Sequence, residues 1–313
     1  MGFELASGPR RLGHLLGRRG PLATFLAIVA VGTGCTSAGE SAGPGSAGPA
    51  TAVPTSTPPT MPSSQGGAAK ASPTKRPEPA ALTANPLYQV GRLPSGTCRE
   101  PAARPTSLAQ VRAFYTAALA CLDRTWAPVV QRAGYTFRPP KLVVSVGRAK
   151  AAPCNVAESY AFYCANGTIY IDASRDLRNY RDSDPSWTLA SMAFLIAHEY
   201  GHHVQTLTGI LAHLGERLSI LSSIDPYHEE LRRMELQASC LSGVFFGANR
   251  TWFRAGTSRL ENWRWTVRNT GDDGSGRRDH GNKANHNRWS LAGLDSASPA
   301  RCNTFTASSA EVS

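Results

Sequence analysis

The 313-residue sequence lacks several features that would point to common functions. None of its seven cysteines has C-x-x-C spacing, which argues against a cysteine-rich metal site. The net charge is +11, yet no concentrated basic run is interleaved with aromatic residues, so nothing indicates nucleic-acid binding. The dispersed charge is typical of a solvated surface. Histidine is scarce, with only 8 residues, so a regular histidine spacing carries weight.

Very long apolar runs are also missing, and the longest run lies near the N-terminus. Four arginines precede the apolar residues 22–31, which are followed by Gly32-Thr33-Gly34-Cys35. This order is typical of a targeting segment over residues 1–35 and resembles a bacterial lipoprotein signal with Cys35 as the lipid-bearing residue. Gly32 stands where such signals usually have Leu. Lipidation therefore predicts an extracytoplasmic, membrane-anchored protein, with an uncleaved anchor or ordinary secretion as alternatives.

Composition divides the rest of the chain into three parts. Residues 36–86 are rich in Ala, Pro, Ser, Thr and Gly, and such a segment cannot bury enough apolar surface to fold. We expect a disordered linker there. Residues 87–305 have the size of one domain. Residues 306–313 are small and predict a flexible tail.

One segment has the spacing of a metal site, His198-Glu199-Tyr200-Gly201-His202. Residues four apart share a helix face, so His198 and His202 can bind one metal ion together. Glu199 lies on the adjacent side, where it can take a proton from water beside the metal. Ordinary helix-surface histidines are the alternative interpretation.

The sequence around this segment predicts a long buried helix over residues 186–207. Apolar side chains recur there with a 3.6-residue period, and Asp184 is the expected N-cap. Gly201 inside the helix should cost roughly 1 kcal/mol relative to Ala. The close approach of another backbone, or of substrate, would explain why glycine is tolerated at this position.

A catalytic zinc site needs a third protein ligand, and Glu235 is the candidate. It lies on a second predicted helix, residues 226–246, with Asp225 as N-cap and Pro226 at the first position. An apolar stripe flanks Glu235, so its carboxylate should be partly buried, and a metal would offset the cost of burying it. A salt bridge to Arg232 or Arg233 is the alternative.

The segments HEYGHHVQ and ELQASC, the latter followed by SGV, resemble those of the bacterial neutral zinc metallopeptidase family. The resemblance extends from about residue 98 to 305 through further short matches. These are Phe162-Tyr163-Cys164, Ile169-Tyr170-Ile171-Asp172, Gly271-Asp272-Asp273, His280-Gly281, Arg288-Trp289 and Cys302-Asn303-Thr304-Phe305.

The resemblance implies an α+β, zincin-like domain of the gluzincin kind, mainly helical with a small β-sheet. It implies one Zn²⁺ per chain held by His198, His202 and Glu235, with Glu199 as catalytic base. The family usually has Asp where this chain has Ser239. That Asp orients a zinc-binding histidine, and losing such a partner typically costs 10- to 100-fold in affinity or activity. We therefore expect a weaker or slower site.

The catalytic reaction also needs a group that stabilises the oxyanion formed from the scissile carbonyl. His280 is the candidate, because its His-Gly segment resembles a family motif. Tyr227, His228 and His286 are alternatives for this role. His203 and His213 are expected to be helix-surface or packing residues rather than ligands.

Six cysteines follow Cys35, and an even number behind an export signal predicts disulfides, although six allow fifteen pairings. Sequence proximity and the family resemblance suggest Cys98–Cys121, Cys154–Cys164 and Cys240–Cys302. The last bridge would hold the segment containing His280 near the helix of Glu235.

Three further elements complete the predicted domain. The spacing predicts an amphipathic helix over residues 106–132 and short strands at 141–146 and 168–172. In zincin-like folds a strand edge beside the metal pairs with an extended substrate. Residues 168–172 are the candidate edge, with an interior strand as the alternative.

The predicted function is zinc-dependent peptide-bond hydrolysis outside the cytoplasm, with a peptide or protein as substrate and no nucleic acid. The alternative is a zinc-bearing envelope binding or scaffold protein whose catalysis is weakened around Ser239. A metal-free scaffold is a third interpretation, but it requires the spacing of the four site residues to be accidental. The sequence predicts no particular oligomeric state.

Overall fold

The structure is a computed structural model that describes residues 79–147, 154, 160–253, 257–274, 276 and 278–313. The predicted signal segment with Cys35, and the linker up to residue 78, lie outside the described residues. Residues 80–86 are not linker as predicted. Leu82 and Asn85 are fully buried, and the Asn85 Nδ2 donates to the Thr208 carbonyl at 3.0 Å. The folded part therefore begins by residue 80 rather than at 87.

Within the described residues, eight α-helices and three strands follow one another. Their bounds are α1 Ala80–Thr83, α2 Leu108–Arg132, β1 Lys141–Ser145, β2 Ala161–Cys164, β3 Thr168–Asp172, α3 Ser174–Asp182, α4 Pro185–Leu207, α5 Ile210–Ser219, α6 Ile224–Ala248, α7 Arg259–Asn269 and α8 Lys283–Ser296. In the part of the chain that the structure describes, no helix is long and apolar enough to cross a membrane.

Helix α4 is the central helix of the domain, and the prediction of a buried helix here is confirmed. The Asp184 side chain accepts a hydrogen bond from the Trp187 backbone N–H at 2.7 Å, which satisfies one of the unpaired donors of the first turn. A Cβ on Gly201 would lie 2.7 Å from the Ala238 carbonyl oxygen of α6. Glycine at 201 thus permits the close approach of the α6 backbone, one of the two explanations expected from the sequence.

Helix α6 begins two residues earlier than predicted. Its N-cap is Ser223, so Asp225 lies in the first turn instead of capping the helix, and Pro226 is the third helical residue. Proline is tolerated at that position because the first-turn N–H groups have no partner within the helix. At its other end α6 packs tightly on α8: a Cβ on Gly293 would lie 2.0 Å from the Cys240 carbonyl oxygen.

The three strands form one sheet in the order β1-β3-β2. Strand β1 is parallel to β3, and β2 is antiparallel to it. Of the two interpretations of Thr168–Asp172, the sheet edge is therefore wrong and the interior strand is confirmed, since β3 is the central strand. Its neighbours occupy both of its hydrogen-bonding sides, and β2 is the edge strand that packs against α4.

Three disulfides join Cys98 to Cys121, Cys154 to Cys164, and Cys240 to Cys302, which is the pairing suggested from the sequence. Together with the helices and the small sheet, they confirm the predicted α+β, disulfide-containing fold class.

The C-terminal residues are not a flexible tail as predicted. Val312 is fully buried, and its carbonyl accepts a hydrogen bond from Arg232 Nε at 2.8 Å. The Trp289 Nε1 donates to the Glu311 carbonyl at 2.8 Å. One apolar side chain and these backbone acceptors are sufficient to hold a segment whose composition alone suggests mobility.

Candidate metal centre

Helices α4 and α6 bring three ligand-type side chains together. His198 and His202 are one turn apart on α4, and their Nε2 atoms are 3.2 Å from each other. Glu235 reaches them from α6, with its Oε2 atom 3.2 Å from His198 Nε2 and 3.3 Å from His202 Nε2. All three side chains are buried, and their ligand atoms form a near-equilateral triangle.

Gln205 supports His202 from the same helix. The His202 Nδ1 atom is 2.8 Å from the Gln205 Oε1 atom, while the Gln205 Nε2 donates to the Met234 carbonyl at 2.9 Å and to Gln237 Oε1 at 3.0 Å. The amide nitrogen must face these acceptors, so its oxygen must face His202. The Nδ1 atom of His202 therefore carries the proton, and its Nε2 atom offers a lone pair to the triangle.

A different set of groups lies behind His198. Its Nδ1 atom is 3.0 Å from Ser239 Oγ, and the same Oγ is 3.0 Å from His286 Nε2. The His286 Nδ1 atom is 2.7 Å from the Val267 carbonyl oxygen. Burial lowers the pKa of His286 to about 3, so this imidazole is neutral.

The triangle fits a zinc ion. Ligands of a tetrahedral zinc at about 2.0–2.1 Å are separated from one another by about 3.3 Å, and a catalytic site leaves a fourth position open. Burial disfavours the charged form of Glu235, but His202 and His280 outweigh it and hold its pKa well below the ordinary value. Burial lowers the pKa of His198 to about 4. A negatively charged carboxylate and a neutral imidazole thus lie side by side, as they would when both bind one divalent cation.

A proton on His202 would satisfy only part of this arrangement. Burial lowers the pKa of His202, but Glu235 and Glu199 raise it above its ordinary value overall. A protonated His202 Nε2 could donate to Glu235 Oε2. The His198 Nε2 atom lies 3.2 Å from the same carboxylate oxygen and 3.2 Å from His202 Nε2. All three atoms thus have the mutual spacing of ligands on one divalent cation.

Glu199 lies beside the triangle on α4 and is only 2% exposed. Burial raises its pKa to about 7, with His202 opposing the shift and Glu235 adding to it. A carboxylate whose pKa lies near neutrality can accept and release a proton at physiological pH, which suits a general base.

His280 approaches the triangle from the loop between α7 and α8. Its Nε2 atom is 3.8 Å from Glu235 Oε2, and its Nδ1 atom is 2.6 Å from Asp279 Oδ1. The Asp272 Oδ2 atom accepts the His280 backbone N–H at 2.7 Å, which fixes the loop. Burial alone would lower the pKa of His280, but Glu235, Asp279 and Asp272 raise it to about 9. The raised pKa favours a proton on both ring nitrogens, so an Nε2–H faces the site, where it is placed to donate to an oxyanion.

The other histidines and the tyrosine considered for the site lie elsewhere. His286 is behind Ser239 rather than at the open side of the triangle. Tyr227 and His228 lie in the first turns of α6, where His228 precedes Glu235 by seven residues, about 10 Å along the helix axis. His203 lies 2.7 Å from the Arg138 carbonyl and 3.1 Å from the Tyr163 hydroxyl, so it packs β2 against α4. His213 contacts Glu216 at the surface.

The proposed salt-bridge partners of Glu235 are engaged elsewhere. Arg232 donates to the carbonyls of Val312 and Arg278. Arg233 pairs with Glu229 at 2.7 Å. The alternative interpretation, a salt bridge from Glu235 to Arg232 or Arg233, is therefore wrong.

The supporting roles of Gln205 and His286 were not identified from the sequence, although His286 was named as an alternative oxyanion donor. Gln205 lies three residues after His202, and that spacing places the two side chains on one helix face, so the sequence contained a usable signal. His286 lies 47 residues from Ser239 in the chain. Nothing in the local pattern connects the two, and only the packing of α8 against α6 does.

Comparisons with known proteins agree with this geometry. The family described as "Putative neutral zinc metallopeptidase" matches residues 92–305. The chain is similar to Uncharacterized protein YpfJ of Escherichia coli (strain K12), with 31% identity over 207 residues, or 61% of this chain and 70% of that protein. No solved structure matches the chain significantly.

A second relative is Uncharacterized protein Rv2575 of Mycobacterium tuberculosis (strain ATCC 25618 / H37Rv), with 26% identity over 209 residues, or 59% of this chain and 68% of that protein. The segment that matches the family contains the whole triangle and both of its supports. The chain therefore belongs to the neutral zinc metallopeptidase family, as its motifs suggested.

Proposed function

We propose that this protein hydrolyses peptide bonds with one zinc ion held by His198, His202 and Glu235. The triangle of their ligand atoms, with edges of 3.2, 3.2 and 3.3 Å, carries this proposal. A zinc ion bound there would supply Lewis-acid polarisation of water and of the substrate carbonyl. The remaining chemistry belongs to side chains of this chain.

Glu199 is the proposed general base. Its carboxylate takes a proton from the attacking water and later delivers it to the departing amine. A group that both accepts and releases a proton works best with a pKa near the operating pH. Burial of Glu199 provides that pKa, about 7. The neighbouring imidazoles of His198 and His202 would use their Nε2 lone pairs on the zinc ion, so they would not compete for the transferred proton.

His280 is the proposed oxyanion donor. Its Nε2 atom faces the site, 3.8 Å from Glu235 Oε2, and Asp279 holds the opposite ring nitrogen at 2.6 Å. An imidazolium in that orientation donates to the substrate oxygen as negative charge develops on it. A pre-oriented donor of this kind needs no rearrangement during the reaction.

The full-length protein tests this proposal most directly. Glu199→Gln should keep about one zinc per chain while its cleavage of a peptide library falls by about 10²- to 10⁴-fold, the usual contribution of a general base. Glu229→Gln is the matched control, since it makes the same chemical change at a pair with Arg233 and should leave both zinc content and cleavage unchanged.

Two outcomes of that experiment decide between the candidate functions. Undiminished, chelator-resistant cleavage by Glu199→Gln would overturn the proposed mechanism. Zinc binding by the wild-type protein without turnover on any peptide would favour the zinc-bearing binding protein instead.

We also propose that the protein acts outside the cytoplasm, tethered through Cys35, on a peptide or protein substrate. The three disulfides support an oxidising compartment, where such bonds form and persist. Mass spectrometry of the protein isolated from its own cells should find a chain that begins at a lipid-modified Cys35. An unmodified Cys35 thiol would contradict the tether.

A further inference from the structure

Four groups from four helices form one continuous hydrogen-bonded path that ends at His198. The path runs from the Val267 carbonyl of α7 to His286 of α8, then to Ser239 of α6 and His198 of α4, over distances of 2.7, 3.0 and 3.0 Å. His286 and Ser239 are almost completely buried. Of the four groups, only the Val267 carbonyl oxygen has a fixed role, because it can accept a hydrogen bond but cannot donate one.

That fixed end determines the direction of every bond in the path. A carbonyl oxygen can only accept, so the His286 Nδ1 atom must carry the proton and donate to Val267. Val267 lies in the last turn of α7, where carbonyls lack a partner within the helix. A buried, neutral His286 then has an unprotonated Nε2 atom, which must accept from the Ser239 hydroxyl.

Ser239 has one hydroxyl proton, which this geometry commits to His286. The Ser239 oxygen must therefore accept from His198, and the His198 Nδ1 atom must carry the proton. The lone pair of His198 is left on Nε2, the atom that lies 3.2 Å from both Glu235 Oε2 and His202 Nε2. That is the tautomer a metal ligand needs in this orientation.

We propose that His286 is a positioning residue that acts through the Ser239 hydroxyl to hold His198 in its metal-binding tautomer. The proposal deepens the zinc site on which the proposed function rests, and it concerns a residue that never touches the metal or the substrate.

A hydroxyl needs such a partner because it can either donate or accept. Without an acceptor behind it, Ser239 can turn its proton toward His198 Nδ1. The His198 proton then moves to Nε2, where it occupies the lone pair required by a cation. A carboxylate at position 239 could not donate to His198 in this way, because an ionised carboxylate only accepts hydrogen bonds. With serine at position 239, His286 fixes the direction of the hydrogen bond by accepting the hydroxyl proton.

The test reads the tautomer directly, in the metal-free full-length protein. Nitrogen-15 NMR of the histidine rings should show the wild-type His198 protonated on Nδ1 and His286 protonated on Nδ1. His286→Phe keeps the ring shape but removes the acceptor, so His198 should shift to the Nε2-protonated form. Zinc affinity, measured by competition with a chelator, should fall by about 10- to 100-fold, as for other outer partners of metal ligands.

Three further variants separate this role from a merely structural one: His286→Gln, Ser239→Ala, and Ser239→Ala combined with His286→Phe. His286→Gln offers an amide oxygen close to the position of Nε2 and should restore zinc affinity to within a few-fold of wild type. In the Ser239→Ala background, which lacks the hydroxyl, His286→Phe should weaken zinc binding little further. An equal loss in both backgrounds would show that His286 acts through packing and would overturn the proposal.

One result needs no variant at all. Finding the wild-type His198 protonated on Nε2 in the metal-free protein would overturn the proposal even if His286→Phe did not fold. The proposed hydrolysis fails separately: a protein with the expected tautomer and tight zinc binding, but without peptide cleavage, would keep this inference and refute the activity.

Discussion

His198 and His202, the two histidines of the triangle, are one turn apart on α4, yet different kinds of group hold their rings. His202 contacts the amide of Gln205 at 2.8 Å, and that amide donates to the Met234 carbonyl and to Gln237. His198 contacts the Ser239 hydroxyl at 3.0 Å, and that hydroxyl contacts His286. One support is an amide and the other is a hydroxyl backed by a second imidazole.

The difference shows how a buried hydrogen bond acquires a direction. A primary amide has a donor end and an acceptor end, so a single carbonyl opposite its nitrogen fixes the whole group. Gln237 extends this support by donating to the Cys302 carbonyl at 3.0 Å, beside the Cys240–Cys302 disulfide. A hydroxyl has no such ends, and its direction must come from the next group along the path.

Removing the amide should have the larger effect. Gln205→Leu takes away the acceptor of His202 and leaves the buried Gln237 Oε1 atom without its donor, which should cost about 1–3 kcal/mol of stability. Zinc affinity should fall by about 10- to 100-fold, as for other lost outer partners. Both quantities can be measured on one sample, by chelator competition and by thermal unfolding of the metal-free protein.

The neighbouring Thr206 provides the control. Its hydroxyl donates to the His202 backbone carbonyl at 3.1 Å rather than to the imidazole, so Thr206→Val should leave zinc affinity close to wild type. If Gln205→Leu bound zinc as tightly as wild type, the amide would have no part in preparing His202, and the comparison between the two supports would break.

Replacing the hydroxyl by a carboxylate should have a smaller effect, of opposite sign. Ser239→Asp accepts the His198 Nδ1 proton with a full charge and should tighten zinc binding by up to about 10-fold, the lower end of what such partners contribute. The buried carboxylate would then face His286 Nε2, which must take up a proton. The pKa of His286, about 3 in the wild type, should therefore rise, and an NMR titration measures it.

Ser239→Ala is the matched control for that variant, because it removes the oxygen altogether and should weaken zinc binding. Unchanged zinc affinity and unchanged turnover in Ser239→Asp would refute the expectation that serine makes this a weaker site than a carboxylate would.

Local pattern explains which parts of the fold were predictable. The 3.6-residue period and the Asp184 cap placed α4 correctly to within a residue, because both signals act within a few turns. The start of α6 was misplaced because proline is allowed at several first-turn positions, and Pro226 occupies the third. Strands β1 and β3 are both five-residue segments with β-branched residues, so local sequence does not tell which of them is central, and the central place of β3 follows only from pairing.

Both ends of the folded domain were misjudged for a related reason. Residues 80–86 and 306–313 are poor in large apolar side chains, and composition favours disorder for such segments. Leu82 and Val312 nevertheless lie fully in the core. One buried apolar side chain and a few hydrogen bonds hold each segment in place. The average composition of a segment does not show whether its single apolar residue is buried.

The sequence by itself determined the paired imidazoles of His198 and His202 and the carboxylate of Glu199 beside them, since residues on one helix have fixed relative positions. The motif around Glu235 named it as the third ligand, but only tertiary packing brings its carboxylate to the two imidazoles. Only packing brings His286 to Ser239. Those contacts depend on how closely whole helices approach, which Gly201 and Gly293 permit and which no single segment encodes. The position of each histidine on α4 thus follows from local sequence. Which of its ring nitrogens carries a proton depends on groups that other helices bring into contact.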